Sequence, residues 1–431
     1  MIIAAKTYNE MDYVKIPWRT SAGYTILIVL HNILNAFVPS LQILVTANFV
    51  DTAVDILNNG GRERITQPLL LLVLLVSYTW ISGMLIGFIH TRMNMRLGEE
   101  FRTAVTEKRS KLEYRHIENN DTWDLTSRVS ENPQEKIFNG FLILLRMISM
   151  VIRVMSILMV LATQVWWAAL VIIAFSVPLF RVSLKSGKTD YEAFKEANKH
   201  QRRAQYLQTV LSGRENIEER ALFGYTEKIN ERWSGKYEAA RKITTRASAI
   251  NFVRMKGSSM ITVLICILIA GVLLIPLNGK QITIGMFMGL VNASFDLVQM
   301  MSWDLSYITR ELAKNREYLK DLSAFSHLEE SEGANDPPDR AMGDIPLESI
   351  EFRDVRFRYP GTDTMVLNGL SFRMRGDRHY AFVGVNGAGK TTITKLLTGL
   401  YPEFEGEILL NGRSIREYSA ARLKGLFSVV Y

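Results

Sequence analysis

One cysteine, Cys266, occurs in 431 residues, so no disulfide can form within the chain. It lies inside an apolar run and says little about redox compartment. Residues 1–20 lack a sustained apolar core followed by a small-residue cleavage site, so no cleaved signal peptide is expected. Histidine is scarce, and His31, inside the first apolar run, has no second ligand at helical spacing; it is expected to be packed or hydrogen-bonded, not metal-bound. Charge is missing altogether from LLLLVLLVSYTWISGMLIGFI (69–89) and MITVLICILIAGVLLIPL (260–277). The hydrophobic share of 48% and charged share of 22% resemble those of a soluble protein only because they average such runs with stretches dense in Lys, Arg and Glu. A helix of about 20 apolar residues, rising 1.5 Å per residue, matches the ~30 Å hydrocarbon layer, which points to an integral membrane protein. The net charge of +8 fits an anionic membrane surface better than nucleic acid, because the bases cluster beside the apolar runs instead of forming one basic face.

Hydropathy and periodicity predict membrane helices over 22–50, 67–92, 141–163, 165–182, 255–277 and 283–303. The third and fourth form a tight hairpin turning at Gln164, with Trp166 and Trp167 at its interfacial tip. The connections after the second and fourth spans are rich in bases, among them Arg92, Arg102, Arg109, Arg203, Arg220 and Arg232; the other three hold only Arg62, Arg64 and Lys280. The positive-inside rule then puts both termini and both long connections in the cytoplasm. Those connections keep helical periodicity with few breakers, so the membrane helices are expected to extend well beyond the bilayer. A separate soluble helical insert is the alternative. An amphipathic helix leaves the sixth span, and the acidic, Gly/Pro-containing stretch SHLEESEGANDPPDRAMGD reads as a linker. The expected division is a membrane domain over 1–325, a linker over 326–345 and a second domain over 346–431. Strands are predicted there at SIEFRDVRFRY, LSFRMR, RHYAFVG and GEILLNG.

GVNGAGKTT, at Gly384–Thr392, matches G-x-x-x-x-G-K-[ST] through Gly384, Gly389, Lys390 and Thr391. Successive backbone N–H groups can face one concavity only where side chains are absent, which explains Gly384, Gly387 and Gly389, with Asn386 and Ala388 between them. The N-terminus of the following helix adds partial positive charge. Lys390 supplies a point charge to the β- and γ-phosphates, and the Thr391 hydroxyl is the candidate Mg²⁺ ligand, with Thr392 beside it.

YPGTDTMVLNGLSFRMRGDRHYAFVGVNGAGKTTITKLLTGLYPEFEGEILLNG resembles the opening of an ABC-transporter nucleotide-binding domain, and six preceding helices with long cytoplasmic extensions resemble an ABC exporter half-transporter. The resemblance covers essentially the whole chain. It implies an α-helical membrane domain followed by an incomplete α/β P-loop ATP-binding domain, ATP with Mg²⁺ as ligands, and adenine stacking by Tyr359. A strand-edge aromatic is the plainer reading of Tyr359. LEYRHIENNDTWDLTSRV and RENIEERALFGYTEKINERW are similar to the family's two intracellular connections, whose short helices couple to nucleotide-binding domains. The family's glutamine, signature motif, Walker B carboxylates and switch histidine would follow Tyr431, so this chain alone is not expected to turn over ATP. The function implied is that of a subunit, pairing with a second half-transporter as homodimer or heterodimer, that exports peptide, lipid or amphipathic small molecules from the cell. A nucleotide-binding membrane sensor and an inactive fragment are the alternatives.

Within the membrane half, Arg153 and Asp296 fall at depths where a charge costs ~2.5–3.5 kcal/mol to insert, so each should face a watery cavity or a partner. They are candidates to line a cargo cavity. Alternatively they pair and hold two helices together while Arg146 reaches the interface.

Overall fold

The computed structural model describes residues 2–167, 170, 196–197, 200–300, 304–339 and 347–430. Among them the chain forms two compact units. One joins residues 2–8, 98–133 and the described part of 320–430; the other joins 9–97 and the described part of 134–319.

The second unit is helical. A short α1 (Asp12–Thr20) precedes α2 (Ala22–Asn59), which Gly60 and Gly61 end by turning the backbone to φ 75° and 92°. After a single 3₁₀ turn, α3 (Thr66–Leu97) continues through a π-turn at Gly98–Arg102 into α4 (Thr103–Lys111) of the first unit. Two short helices follow in that unit, α5 (Tyr114–Glu118) and α6 (Asn120–Ser130). Back in the second, α7 (Pro133–Gln164) stops at the predicted hairpin turn, with Trp166 exposed just beyond. The fourth predicted span lies almost wholly outside the described residues. A helix α8 (200–212), a short α9 (Ile217–Phe223) and the 53-residue α10 (Thr226–Asn278) come next. Then α11 (Ile284–Gln299) covers most of the sixth span, and α12 (Leu305–Ser326) carries the chain onward.

Three of these helices are long and apolar enough to cross a bilayer: Ala22–Asn59, the run from Glu63 to Lys111, and Pro133–Gln164. Two shorter apolar segments, Ile267–Asn278 and Ile284–Leu297, accompany them. Along α3, Leu70, Leu74, Trp80, Met84 and Phe88 are all exposed. That stripe would be an aggregation site in water and is ordinary surface in lipid. Because lipid is as apolar as leucine, helix association there depends on close packing, and α11 shows how it is achieved. Gly285 and Gly289, one turn apart, face Ala47 and Ile43 of α2, and Ala293, a turn further on, is buried in the same core cluster as Ile43. A Cβ on Gly285 would lie 2.1 Å from the Ala47 carbonyl oxygen, and one on Gly289 would lie 2.9 Å from Ile43 Cγ2. Asp51 adds a polar clasp, its carboxylate accepting from Gly285 N at 2.7 Å and from the Thr283 hydroxyl, at the start of α11.

The extensions are segmented more than the periodicity implied. The first breaks at Leu112–Glu113, where the backbone leaves the helix to bridge Glu330, with Glu113 N donating to Glu329 O at 3.1 Å and Ser331 N to Lys111 O at 2.8 Å. The acidic stretch after α12 is thereby pinned, and Lys108, almost fully buried, ties it further through Glu330 at 2.8 Å and Leu328 O at 3.2 Å. The second extension breaks at Gly213 and at Gly224, whose φ of 60° ends α9.

In the first unit, β1 (Ser349–Phe357), β2 (Leu367–Arg375), β3 (Glu405–Leu410) and β4 (Arg413–Ser414) form an antiparallel sheet ordered β2-β1-β3-β4. Asn411 and Gly412, at φ 52° and 81°, make the two-residue turn between β3 and β4. Asn411 Oδ1 also accepts from Glu348 N and Ser349 N, pinning the start of β1. Helices α13 (Lys390–Leu397) and α14 (Ala420–Leu426) complete the element list, and Phe352, Val355, Ile393, Leu396 and Ile408 belong to the core. RHYAFVG, expected as a strand, is not one: Tyr380, Phe382 and Val383 are exposed and pair with no strand among the described residues. A strand exists only with a hydrogen-bonded neighbour, and none of these four strands runs beside it.

Candidate nucleotide-binding site

The glycine loop adopts the conformation its sequence requires. Gly387 and Gly389 sit at φ 87° and 85°, the left-handed region costly to side-chain-bearing residues. Gly389 is doubly constrained, because an added Cβ would lie 2.7 Å from Leu367 Cδ2 in the core. Ala388 N bonds to Val385 O at 3.3 Å, which folds the loop back. Lys390 opens α13 and donates through Nζ to Gly384 O and Val385 O, both at 2.9 Å, so its ammonium is held across the loop mouth. Among the described residues, the backbone N–H groups of Gly387, Gly389, Lys390 and Thr391 have no acceptor. They are the orphan donors of a helix start, on a loop whose residues Gly384–Ala388 are exposed. The arrangement suits a phosphate: free N–H groups, a cation and a helix N-terminus together.

Thr391 and Thr392 have separate fates. Thr391 is exposed and its hydroxyl has no partner among the described residues, which fits a metal-ligating role. Thr392 is buried, and its hydroxyl bonds to that of Tyr359 at 2.9 Å. Tyr359, half-buried, meets Phe357 and Tyr401 edge-on at 5.1 and 5.5 Å, and the Lys395 ammonium sits over its ring at 5.1 Å. One face of Tyr359 is therefore occupied by a cation, and adenine stacking would use the other.

Four residues that the sequence did not single out complete this neighbourhood. Lys395 and Tyr401 both donate to the Glu118 carboxylate at the end of α5, while Tyr114, at its start, packs edge-on against Tyr401 at 5.7 Å and lies under Lys395 at 5.3 Å. Burial pushes the Glu118 carboxyl up, but its bonds to Lys395 and Tyr401 outweigh that and hold it below the usual carboxylate range. Burial and the adjacent carboxylate push the Tyr401 hydroxyl up. Lys395, the basic residue toward the far end of α13, was the available signal. Elsewhere in this unit, Arg128 clasps Asp321 at 2.9 and 3.2 Å, and His116 and Arg115 hold Glu329.

In the helical unit, no hydrogen bond or salt bridge joins Arg153 to Asp296. The Arg153 Nε is buried without a partner, and Asp296 is exposed. Arg146 places its guanidinium over the Tyr307 ring at 5.2 Å. No group of three metal-ligating side chains occurs among the described residues, and His31 is in none.

Comparison with known proteins gives two family matches. A model described as the ABC transporter transmembrane region covers residues 25–299, and one described as ABC transporter covers residues 367–431. The subtilin transport ATP-binding protein SpaT of Bacillus subtilis is 24% identical over 404 residues, 90% of this chain and 62% of that protein. The ATP-dependent lipid A-core flippases of Yersinia pestis and Escherichia coli K12 are 42% and 40% identical over 92 residues, 21% of this chain and 15% of each flippase. The chain thus spans less than two thirds of the length of these relatives.

Proposed function

Because the chain belongs to the ABC transporter transmembrane-region family, we propose that this membrane protein is a subunit of an ATP-driven exporter. The supporting observation is a single chain joining that membrane region to a glycine loop with free N–H donors and a cross-braced lysine. Gly384, Asn386, Gly387, Ala388 and Gly389 would cradle the phosphates through their backbone, and Lys390 would leave its loop carbonyls to meet the β- and γ-phosphates. Thr391 would ligate Mg²⁺, which supplies charge neutralisation between those phosphates. Thr392 holds α13 to Tyr359, and Tyr359 receives the adenine on its open face. The family resemblance supplies the rest. A second half-transporter, identical or related, pairs with this one; ATP closure drives alternating access; both termini face the cytoplasm of a cell membrane. SpaT, which matches through both halves, is named for subtilin transport, and the flippases, matching over a short stretch, for lipid A-core. The cargo class is accordingly peptide, lipid or amphipathic small molecule, with Arg153 and Asp296 facing the path it takes.

Titration of the detergent-solubilised chain with a fluorescent ATP analogue tests the reading. Saturable binding that Lys390→Ala weakens at least about ten-fold is expected, as for loss of a charge-assisted contact. Equal binding by the variant would remove the loop from the mechanism.

A further inference from the structure

A groove of about 660 Å³ opens between α8 and α10. Its walls carry four basic residues, His200 and Arg203 from α8 and Arg232 and Lys236 from α10, above an apolar floor that includes Leu207 and Ala239. The spacing is helical on both sides, with Arg203 one turn from Leu207 and Arg232 one turn from Lys236, so each helix turns one mixed face inward. Among the described residues none of the four forms a hydrogen bond or salt bridge. Glu238, two residues past Lys236, is taken up by Arg241 at 2.9 and 3.1 Å. Among the described residues no carboxylate pairs with Arg203, Arg232 or Lys236; cations so placed repel, and the repulsion falls when an anion lies between them.

From this we infer that the groove binds an amphiphile with a phosphate head, the head between the α8 and α10 bases and the tail on the floor. Its volume lies within the ~300–1,000 Å³ typical of small-molecule sites. Charge complementarity selects the head, and the apolar floor separates an amphiphile from free phosphate. Occupancy would brace the two helices against each other. The inference goes beyond the exporter reading and does not rest on it, since neither nucleotide nor the loop at Gly384–Thr391 takes part.

The test is nucleotide-free. Dodecyl phosphate is titrated into the full chain in an uncharged detergent, with inorganic phosphate in parallel. Saturable dodecyl phosphate binding is expected, about ten-fold or more tighter than inorganic phosphate and weakened about ten-fold or more in the double variant Arg203→Glu/Arg232→Glu. The conservative pair Arg203→Lys/Arg232→Lys should keep most of the affinity. All these positions are exposed, and an unchanged far-ultraviolet spectrum certifies that α8 and α10 remain folded. Wild-type affinity in the charge-reversed variant would overturn the site. Equal binding of inorganic phosphate would overturn the amphiphile in favour of a free anion, and failure of ATP binding in a separate assay would leave this inference standing.

Discussion

Replacing Glu118 by alanine strips Lys395 and Tyr401 of one shared acceptor. Lys395 is only 14% exposed and Glu118 38%, so the pair lies between a buried ion pair and a surface one. Hydrogen bonds to charged groups contribute ~1.5–3 kcal/mol when shielded, while exposed pairs contribute ~0–1, so their loss here should cost about 1–2 kcal/mol in total. The cost falls on α5, a five-residue helix with no side-chain cap of its own. Its amides, measured by hydrogen exchange with mass spectrometry, should exchange about 5–30 times faster, the factor that 1–2 kcal/mol corresponds to. Glu118→Gln, which keeps an acceptor for Tyr401 but no charge for Lys395, should fall between. The pH dependence follows from the depressed Glu118 carboxyl. Its stabilisation is complete above the unfolded value of ~4.3 and is lost as pH falls through the lower folded value, so protection of α5 stays flat from pH 7 to about 5 and declines below about 4. Exchange in Glu118→Ala within two-fold of wild type at pH 7 would refute the assignment of α5 docking to this carboxylate.

Gly389→Ala should weaken binding of an ATP analogue about ten-fold, because left-handed backbone costs ~1–2 kcal/mol and the Cβ meets Leu367 at 2.7 Å; Gly387→Ala, with open space around its Cβ, should lose less in the same titration. Gly285→Val must part α2 from α11, since even a Cβ would lie 2.1 Å from the Ala47 carbonyl. Its melting temperature in detergent should fall well below that of Gly23→Ala, whose Cβ has nothing within 4 Å.

The glycine loop was legible because everything it needs is local: the positive-φ glycines, Lys390 and the start of α13 lie within nine residues. The long apolar helices were legible for a similar reason, as a run such as 69–89 declares its solvent without reference to the rest of the chain. Pairing is not local. Glu118 and Lys395 are 277 positions apart, and nothing in either neighbourhood announces the other. YAFVG carries the composition of a strand, but composition cannot supply the neighbouring backbone, and no strand pairs with it among the described residues. Asn411–Gly412 is the opposite case, a two-residue hairpin signal present in the sequence that splits GEILLNG at its end. The break at Leu112 was hidden because the bridge to Glu330 that replaces the helix comes from a segment whose acidic, Pro-containing composition reads as unstructured.

The modest strength of the Glu118 cluster suits a moving part. Tyr359 is fixed at one end by Thr392 beside the loop, and over its ring sits the same ammonium that Glu118 holds. Any nucleotide that displaces Tyr359 must therefore disturb Lys395, and with it the hold on α5. Were that hold a fully buried ion pair, breaking it would cost ~3–5 kcal/mol, beyond the ~1–3 kcal/mol over which bound ligands commonly couple two sites. At about 1–2 kcal/mol it falls inside that range, so a nucleotide preferring one position of Tyr359 by that amount shifts the docking equilibrium of α5 about 5–30-fold. A leucine in place of Lys395 would keep the packing against Tyr114 and Tyr359 while removing the charge, and α5 exchange should then no longer respond to nucleotide.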